Sequence, residues 1–268
     1  MFCKFYAFTR TPFSKTIPTG ELFATAGQAE LGARLAYLLK ESGFGLVTGE
    51  IGSGKSTAVR AFASSLDPNR HLVLYLANPT TGITGIYREL LISLGHEPPF
   101  GKPRMVAKLR SALEGLSLHK HRSALVILDE AHLLTQPMLD QLRLLFSDKM
   151  DSHSLATLLL VGHPDLRRTL RLSVHEALFQ RITIRHHLGP MDLVETVGYV
   201  KHHVRIAGHT SDPIFTDEAI ARVFDYTKGV PRRINQVCTT ALMAGLIDQK
   251  SLIDESTIRK AIADIDQE

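Results

Sequence analysis

Up to about residue 188 the apolar positions follow two alternating rhythms. Four short runs are apolar almost throughout: Phe44-Gly45-Leu46-Val47, Leu72 to Ala77, Ala124 to Leu128 and Leu155 to Val161. Unbroken runs of this length are the pattern of strands covered on both faces of a parallel sheet. Between them, apolar residues fall at helical spacing. Leu31, Leu35, Leu38 and Leu39 form one such stripe over residues 26–41. Val59, Phe62, Ala63 and Leu66 form the next, then Ile86, Leu90, Leu91 and Leu94, closed by Gly95. Val106, Leu109, Leu113 and Leu116 follow, and Leu139, Leu142 and Phe146 complete the series. Alternating strands and helices predict an α/β layer structure. Asn78-Pro79 ends the second run, and HEPPFGKPR over 96–104 reads as a loop.

At Leu188-Gly189-Pro190 the pattern changes, and beyond it only helical stripes are expected. Asp192 with Glu195 has the spacing of a helix N-cap, opening a helix through Ile206 that stops at Gly208. Thr216 caps a second helix, which Gly229-Val230-Pro231 breaks. Ile234 to Leu246 is a third, and Asp254 starts a fourth. The expected division is an N-terminal arm over 1–24, an α/β core over 25–190 and a small helical bundle over 191–268. The arm holds Phe2, Phe5, Tyr6, Phe8, Phe13 and Phe23, interrupted by Pro12 and Pro18, which forbid a long helix. Its aromatics are expected to pack on the core; the alternatives are a neighbouring subunit or an adenine ring.

Between the first strand and its helix lies Gly49-Glu50-Ile51-Gly52-Ser53-Gly54-Lys55-Ser56-Thr57, which fits G-x-x-x-x-G-K-[ST] without a mismatch. Glycines let the loop curl so that successive N–H groups point at phosphate oxygens. Lys55 is expected to reach the β- and γ-phosphates and Ser56 to hold Mg²⁺. A strand before the loop and a helix after it place the phosphates at a helix N-terminus.

The third run ends in Asp129-Glu130. Carboxylates there lie at the carboxyl end of a strand, where ligands gather in open α/β sheets. Asp129 is expected to act on the metal through water, and Glu130 to polarise the attacking water. Acids capping the following turn are the plainer alternative. The fourth run ends in Gly162-His163-Pro164, where His163 is either a turn residue or a contact to the γ-phosphate or the water. Arg167, Arg168 and Arg171 read as a solvated face. Arg181, in LFQRITI, is either a surface residue or an arginine finger.

Composition changes this picture little. The chain has 268 residues, is 44% hydrophobic and carries a formal net charge of +4. That mild basicity is compatible with nucleic acid without requiring it. Its two cysteines, Cys3 and Cys238, form no CxxC pair, which is the usage of a reducing compartment. No apolar run approaches the roughly 18 residues of a membrane span, and the N-terminus lacks the apolar core of a signal peptide. A cytoplasmic protein without a membrane segment is the expectation.

The P-loop, the Leu-Asp-Glu strand end, the polar strand tip, Gln180-Arg181-Ile182 and Gly229-Val230-Pro231-Arg232-Arg233-Ile234-Asn235 as a set resemble the AAA+ ATPases. The resemblance implies a P-loop AAA+ core followed by an all-helical lid. It implies Mg²⁺ and ATP as cofactors. It makes Arg232 the lid arginine that contacts phosphates in cis (sensor 2), with Arg233 as the register alternative. It makes Arg181 the finger acting on a neighbour's nucleotide. His163 falls at sensor 1, where many members have Asn. Within the family, TGEIGSGKST, LVILDEAHLL, LLLVGHPDLR, LFQRITIRHHLGPM and YVKHHVRIAG are similar to the ExeA-like group of secretion ATPases and transposition helpers resembling TnsC and Mu B. The reading that follows is a homo-oligomer, ring or helical filament, assembling on double-stranded DNA and regulating a transposase. Lys102, Arg104, Lys108, Arg110, Lys120 and Arg122 are the candidate DNA contacts. The alternatives are a secretion-pathway assembly ATPase and a nucleotide-gated scaffold with little hydrolysis.

Overall fold

The computed structural model describes residues 2–120, 122–148, 153–210 and 212–267. The chain divides into two compact units. One comprises residues 27–51 and 55–188, the other residues 1–26, 52–54 and 189–268.

The first unit is α/β. Its strands are β1 (Phe44–Thr48), β2 (His71–Leu76), β3 (Ser123–Leu128), β6 (Thr157–Gly162) and β7 (Ile182–His187), with β4 (Ser147–Asp148) and β5 (His153–Ser154) forming a small antiparallel pair. The helices are α2 (Ala26–Glu41), α3 (Lys55–Ser65), α4 (Gly82–Ser93), α5 (Lys102–Lys120), α6 (Gln136–Phe146), α7 (Pro164–Leu170) and α8 (Glu176–Phe179). The large sheet has five strands in the order β2-β3-β6-β1-β7, and every neighbouring pair runs parallel.

Side chains alternate across a strand, so a strand buried on both faces feeds two cores. Val126 and Leu128 join Leu46, Leu158 and Leu160 in a cluster with Leu90 of α4, Leu109 of α5 and Leu142 of α6. Leu125 and Ile127 join Val47, Leu159 and Val161 in another with Leu35 and Leu38 of α2 and Val59 of α3. This is why those runs carry no polar alternation.

Helix α5 begins at Lys102, inside the expected loop over 96–104, so Lys102 and Arg104 lie in its first turn. Pro103 permits this, because a first-turn N–H has no intrahelical partner to lose.

The second unit is helical: α9 (Leu193–Ile206), α10 (Asp217–Thr227), α11 (Pro231–Ile247) and α12 (Glu255–Gln267), with the short α1 (Phe2–Phe5). Asp192 accepts from the Glu195 N–H while the Glu195 carboxylate accepts from the Asp192 N–H, a capping box that satisfies two first-turn donors. The Thr216 hydroxyl accepts from the Ala219 N–H, and Asp254 Oδ1 accepts from the Thr257 N–H. Among the described residues of this unit the extended pairing is a single parallel bridge, Phe215 to Ile253. Gly229 has φ +74°, and a Cβ there would meet the Met191 carbonyl oxygen at 1.8 Å. Only glycine fits both conditions.

The arm belongs to this unit. Tyr6, Phe8 and Phe13 are buried among Val204, Ala207, Phe215, Val237 and Leu242. The Tyr6 hydroxyl donates to the Lys250 carbonyl at 3.0 Å, and the Thr9 N–H donates to the Ala207 carbonyl at 2.8 Å. Each buried aromatic contributes roughly 2–3 kcal/mol of transfer free energy. Cys238 is buried in the same core, and burial holds its thiol well above the ordinary range. Among the described residues, no helix is long and apolar enough to cross a membrane.

Candidate nucleotide site

β1 ends at Thr48, and α3 starts at Lys55. The loop between them turns through Gly52 (φ +82°) and Gly54 (φ +91°), left-handed positions that a side chain would strain. Lys55 is 9% exposed. Its ammonium donates to the Gly49 and Glu50 carbonyls, both at 2.9 Å, so the charge is held inside the loop's own curl. The Ser53 hydroxyl is buried and has no hydrogen-bond partner. A buried hydroxyl without a partner is unfavourable by ~1–3 kcal/mol, which a phosphate oxygen would relieve.

Asp129 follows β3 and is 5% exposed. Its Oδ2 accepts from the Ser56 hydroxyl at 2.8 Å and from the Tyr75 hydroxyl at 2.9 Å; its Oδ1 accepts from the Glu130 N–H at 2.9 Å. The serine of the loop and the acid of the third strand, 73 residues apart, are thus brought into direct contact. A hydroxyl and a carboxylate on one side of a P-loop form an oxygen donor set suited to Mg²⁺. Burial, then the bond to Asp129 and the negative charges of Asp129 and Glu130, push the Tyr75 hydroxyl up to about 12, so it stays a proton donor across physiological pH.

Glu130 is held at φ +51°, a left-handed conformation uncommon outside glycine and concentrated at functional positions. Its side chain caps nothing, against the plainer expectation of a capping pair. Instead Oε2 faces His132 Nε2 at 3.5 Å. His132 Nδ1 accepts from the His163 N–H at 3.4 Å, which ties the acid's neighbour to the tip of β6. β6 lies between β1 and β3, so His163 emerges between the loop and the acids. Its imidazole is bracketed by carboxylates, Glu50 Oε2 at 3.3 Å from Nε2 and Asp165 Oδ2 at 2.9 Å from Nδ1.

Lys55, Ser56, Asp129, Glu130, Glu50 and His163 therefore converge, and Thr57 follows Ser56 in the first turn of α3. Ile51 is exposed at the loop's outer side. Two contributors escaped the sequence reading. Tyr75 stands alone as a polar-tipped ring in an apolar strand, which was the available signal. His132, in the turn after the acids, gave none.

Arg181 is not brought to this site. It precedes β7, whose Ile182 is level with Phe44 at the amino end of β1. The loop starts beyond the opposite end, about 16 Å away at a strand's rise per residue. The Arg181 guanidinium donates to the Ser147 hydroxyl. Arg232 and Arg233 lie in the first turn of α11 in the helical unit. The Arg233 guanidinium sits over the Tyr226 ring at 4.9 Å. The loop tip groups with that unit, and there the Arg232 N–H donates to the Gly52 carbonyl at 3.2 Å.

The proposed DNA contacts are partly engaged. Lys108 donates to the Glu97 carbonyl at 2.8 Å, Arg110 to the Ser147 carbonyl at 3.0 Å and Arg122 to the His71 carbonyl at 3.5 Å. Lys102 and Arg104 are exposed, and the Lys120 side chain lies outside the described residues.

Residues 38–170 match the family model described as an AAA domain. General secretion pathway protein A of Aeromonas hydrophila is 32% identical over 250 residues, covering 91% of this chain and 45% of that protein. The chain thus spans less than half the length of this relative. Among solved structures, the Aeropyrum pernix ORC2 protein superposes with a TM-score of 0.69 at 19% identity, over 94% of this chain and 70% of that one. Cdc6p from Pyrobaculum aerophilum gives a TM-score of 0.69 at 16% identity, over 93% and 69%. The RuvB branch migration motor of Thermotoga maritima gives 0.60 at 17% identity, over 92% and 73%. The chain has the AAA+ P-loop fold, its residues 38–170 match an AAA domain, and it is similar to general secretion pathway protein A.

Proposed function

We propose that this chain binds Mg²⁺-ATP at the P-loop and hydrolyses it, acting as the nucleotide-driven part of a homo-oligomer. The contact between Ser56 and Asp129 carries this reading, because it joins the two halves of a metal–phosphate site from distant parts of the chain. Lys55 exchanges two backbone carbonyls for β- and γ-phosphate oxygens, and the loop N–H groups with the Ser53 hydroxyl bind the remaining oxygens. Ser56 and Asp129 hold Mg²⁺, which when bound neutralises charge on the phosphates. Glu130, kept in place by its left-handed backbone and by His132, orients the attacking water and accepts its proton. His163 lines the same edge between Glu50 and Asp165. With Arg233 stacked on Tyr226, Arg232 is the lid arginine directed at phosphate, and Arg181 serves the site of a neighbouring subunit.

For the partner, the likeness to general secretion pathway protein A supports an assembly ATPase of secretion type. A second reading is ATP-dependent assembly, as a ring or helical filament, on double-stranded DNA to regulate a transposase. The exposed Lys102 and Arg104 on the first turn of α5 and the net charge of +4 favour it. Engagement of Lys108, Arg110 and Arg122 by backbone carbonyls weighs against it. Phosphate release measured with Mg²⁺ and with EDTA, in wild type and Glu130→Gln, tests the enzyme. DNA binding with ATP, ADP and a slowly hydrolysed analogue at two salt concentrations tests the second reading. Nucleotide-independent or absent binding at low salt would eliminate it.

A further inference from the structure

Along β2 the burial alternates at its end: Leu74 and Leu76 are buried, while Tyr75 between them is 51% exposed. Its ring therefore stands on the opposite face from theirs. The parallel register pairs Tyr75 with Ile127, two residues before Asp129, and the Asp129 N–H donates to the Leu76 carbonyl at 3.0 Å. This places the phenol hydroxyl beside the carboxylate, donating to Oδ2 at 2.9 Å. The same oxygen receives the Ser56 hydroxyl, and Oδ1 receives the Glu130 N–H. The Asp129 carboxylate is thus held from three directions. Two of the donors belong to the loop and to the acid turn. The third comes from a separate strand, at the edge of the sheet.

We propose that Tyr75 is a positioning residue for the metal acid, fixing the Asp129 rotamer so that the carboxylate meets Mg²⁺ together with Ser56. This rests on the Mg²⁺-ATP reading above. An acid with only the Glu130 N–H and the Ser56 hydroxyl for partners has one donor on each oxygen. Since Ser56 changes its own engagement when it ligates a metal, one of those anchors is lost when it is needed. The Tyr75 hydroxyl is not called on by the metal and holds Oδ2 throughout. Removing an outer partner of a metal-binding carboxylate weakens metal affinity by about 10–100-fold.

The test is Tyr75→Phe in the full chain, which keeps the half-exposed ring and deletes only the hydroxyl. Binding of a fluorescent ATP analogue is titrated with Mg²⁺, so the readout is binding and not turnover. The expected result is a half-saturating Mg²⁺ concentration raised about tenfold or more, with analogue affinity in EDTA and thermal midpoint at wild-type values. Half-saturation within twofold of wild type overturns the inference, as does a fall in affinity equally large in EDTA, which marks a merely structural role. Asp129→Asn is the companion. If it abolishes the Mg²⁺ response while Tyr75→Phe does not move it, the Tyr75 inference alone fails. If Asp129→Asn leaves the Mg²⁺ response intact, the metal-site reading fails and takes the inference with it.

Discussion

Both units bury polar side chains, but they do so differently. In the helical unit Thr196 donates to the Asp192 carbonyl at 2.7 Å, Thr227 to the Val223 carbonyl at 2.8 Å and Thr257 to Asp254 Oδ1 at 2.8 Å. Each bond closes within a few residues, so each hydroxyl serves its own helix. In the α/β unit the buried Asp129 takes hydroxyl partners from a helix start and another strand end, Ser56 and Tyr75, which lie 73 and 54 residues away. Local closure stabilises an element. Long-range convergence of donors and acids at the carboxyl ends of strands arranges charge for a ligand. At Asp129 the functional signal is thus a buried carboxylate whose hydroxyl partners are distant in sequence, whereas the buried Lys55 closes on its own loop.

Arg181 puts the most pressure on this contrast. Its partner Ser147 is distant, yet the pair lies at the amino end of the sheet, away from the nucleotide site. If its role is trans, Arg181→Ala lowers hydrolysis by about 10³–10⁵, specific activity rises with protein concentration, and mixing with Glu130→Gln subunits restores part of the rate. Absence of rescue with both variants folded and assembling would reduce Arg181 to a structural anchor of Ser147.

Within the site itself the next largest effect is expected from Glu130→Gln. Turnover should fall on the order of 10²–10⁴ while nucleotide affinity stays within a few-fold, measured on one preparation by phosphate release and by fluorescent-nucleotide titration. Wild-type turnover would remove Glu130 from its role. Lys55→Ala should instead act on binding, weakening ATP about 100-fold for the loss of two charge-assisted hydrogen bonds. Affinity at the wild-type level would mean that the lysine's carbonyl-bound position is also its liganded one. Together the two variants separate a residue that acts on water from one that acts on phosphate.

How much of this was legible in the sequence follows the same division. Caps such as Asp192 with Glu195, Thr216 and Asp254 are readable because partner and partner lie within one turn. The P-loop and the acidic strand end are readable because their spacing is itself the chemistry. What spacing does not carry is lateral order in a parallel sheet, where neighbours need not be consecutive. β6 between β1 and β3, and hence the approach of His163 to Glu50, was invisible for that reason. So was the reach of Tyr75 to Asp129, which depends on the register of β2 against β3. The arm's aromatics announced burial but not against which unit, since hydrophobic transfer is non-directional. Pro103 marks a helix start, but its Pro- and Gly-rich neighbours are equally those of a loop.

The smallest effect expected concerns the helical unit alone and probes a buried polar group there that lacks local closure. His203 is 3% exposed, its ring stacked 5.1 Å from that of Phe13, and its Nδ1 has no hydrogen-bond partner. Burial, then the nearby His202, lowers its pKa to about 3. An unfolded histidine titrates near 6.5. The folded form therefore resists a proton that the unfolded chain accepts. The stability His203 contributes is complete above about pH 6.5 and declines as pH falls from there toward 3. At pH 5 the loss is roughly 2 kcal/mol, from one proton over about 1.5 pH units. His203→Phe keeps an aromatic ring against Phe13 and removes the titration. Denaturant midpoints of wild type should fall between pH 7 and pH 5 by more than those of the variant. Parallel falls in the two proteins would show that the arm's stacking on α9 is indifferent to this proton, and that His203 resembles the locally closed threonines after all.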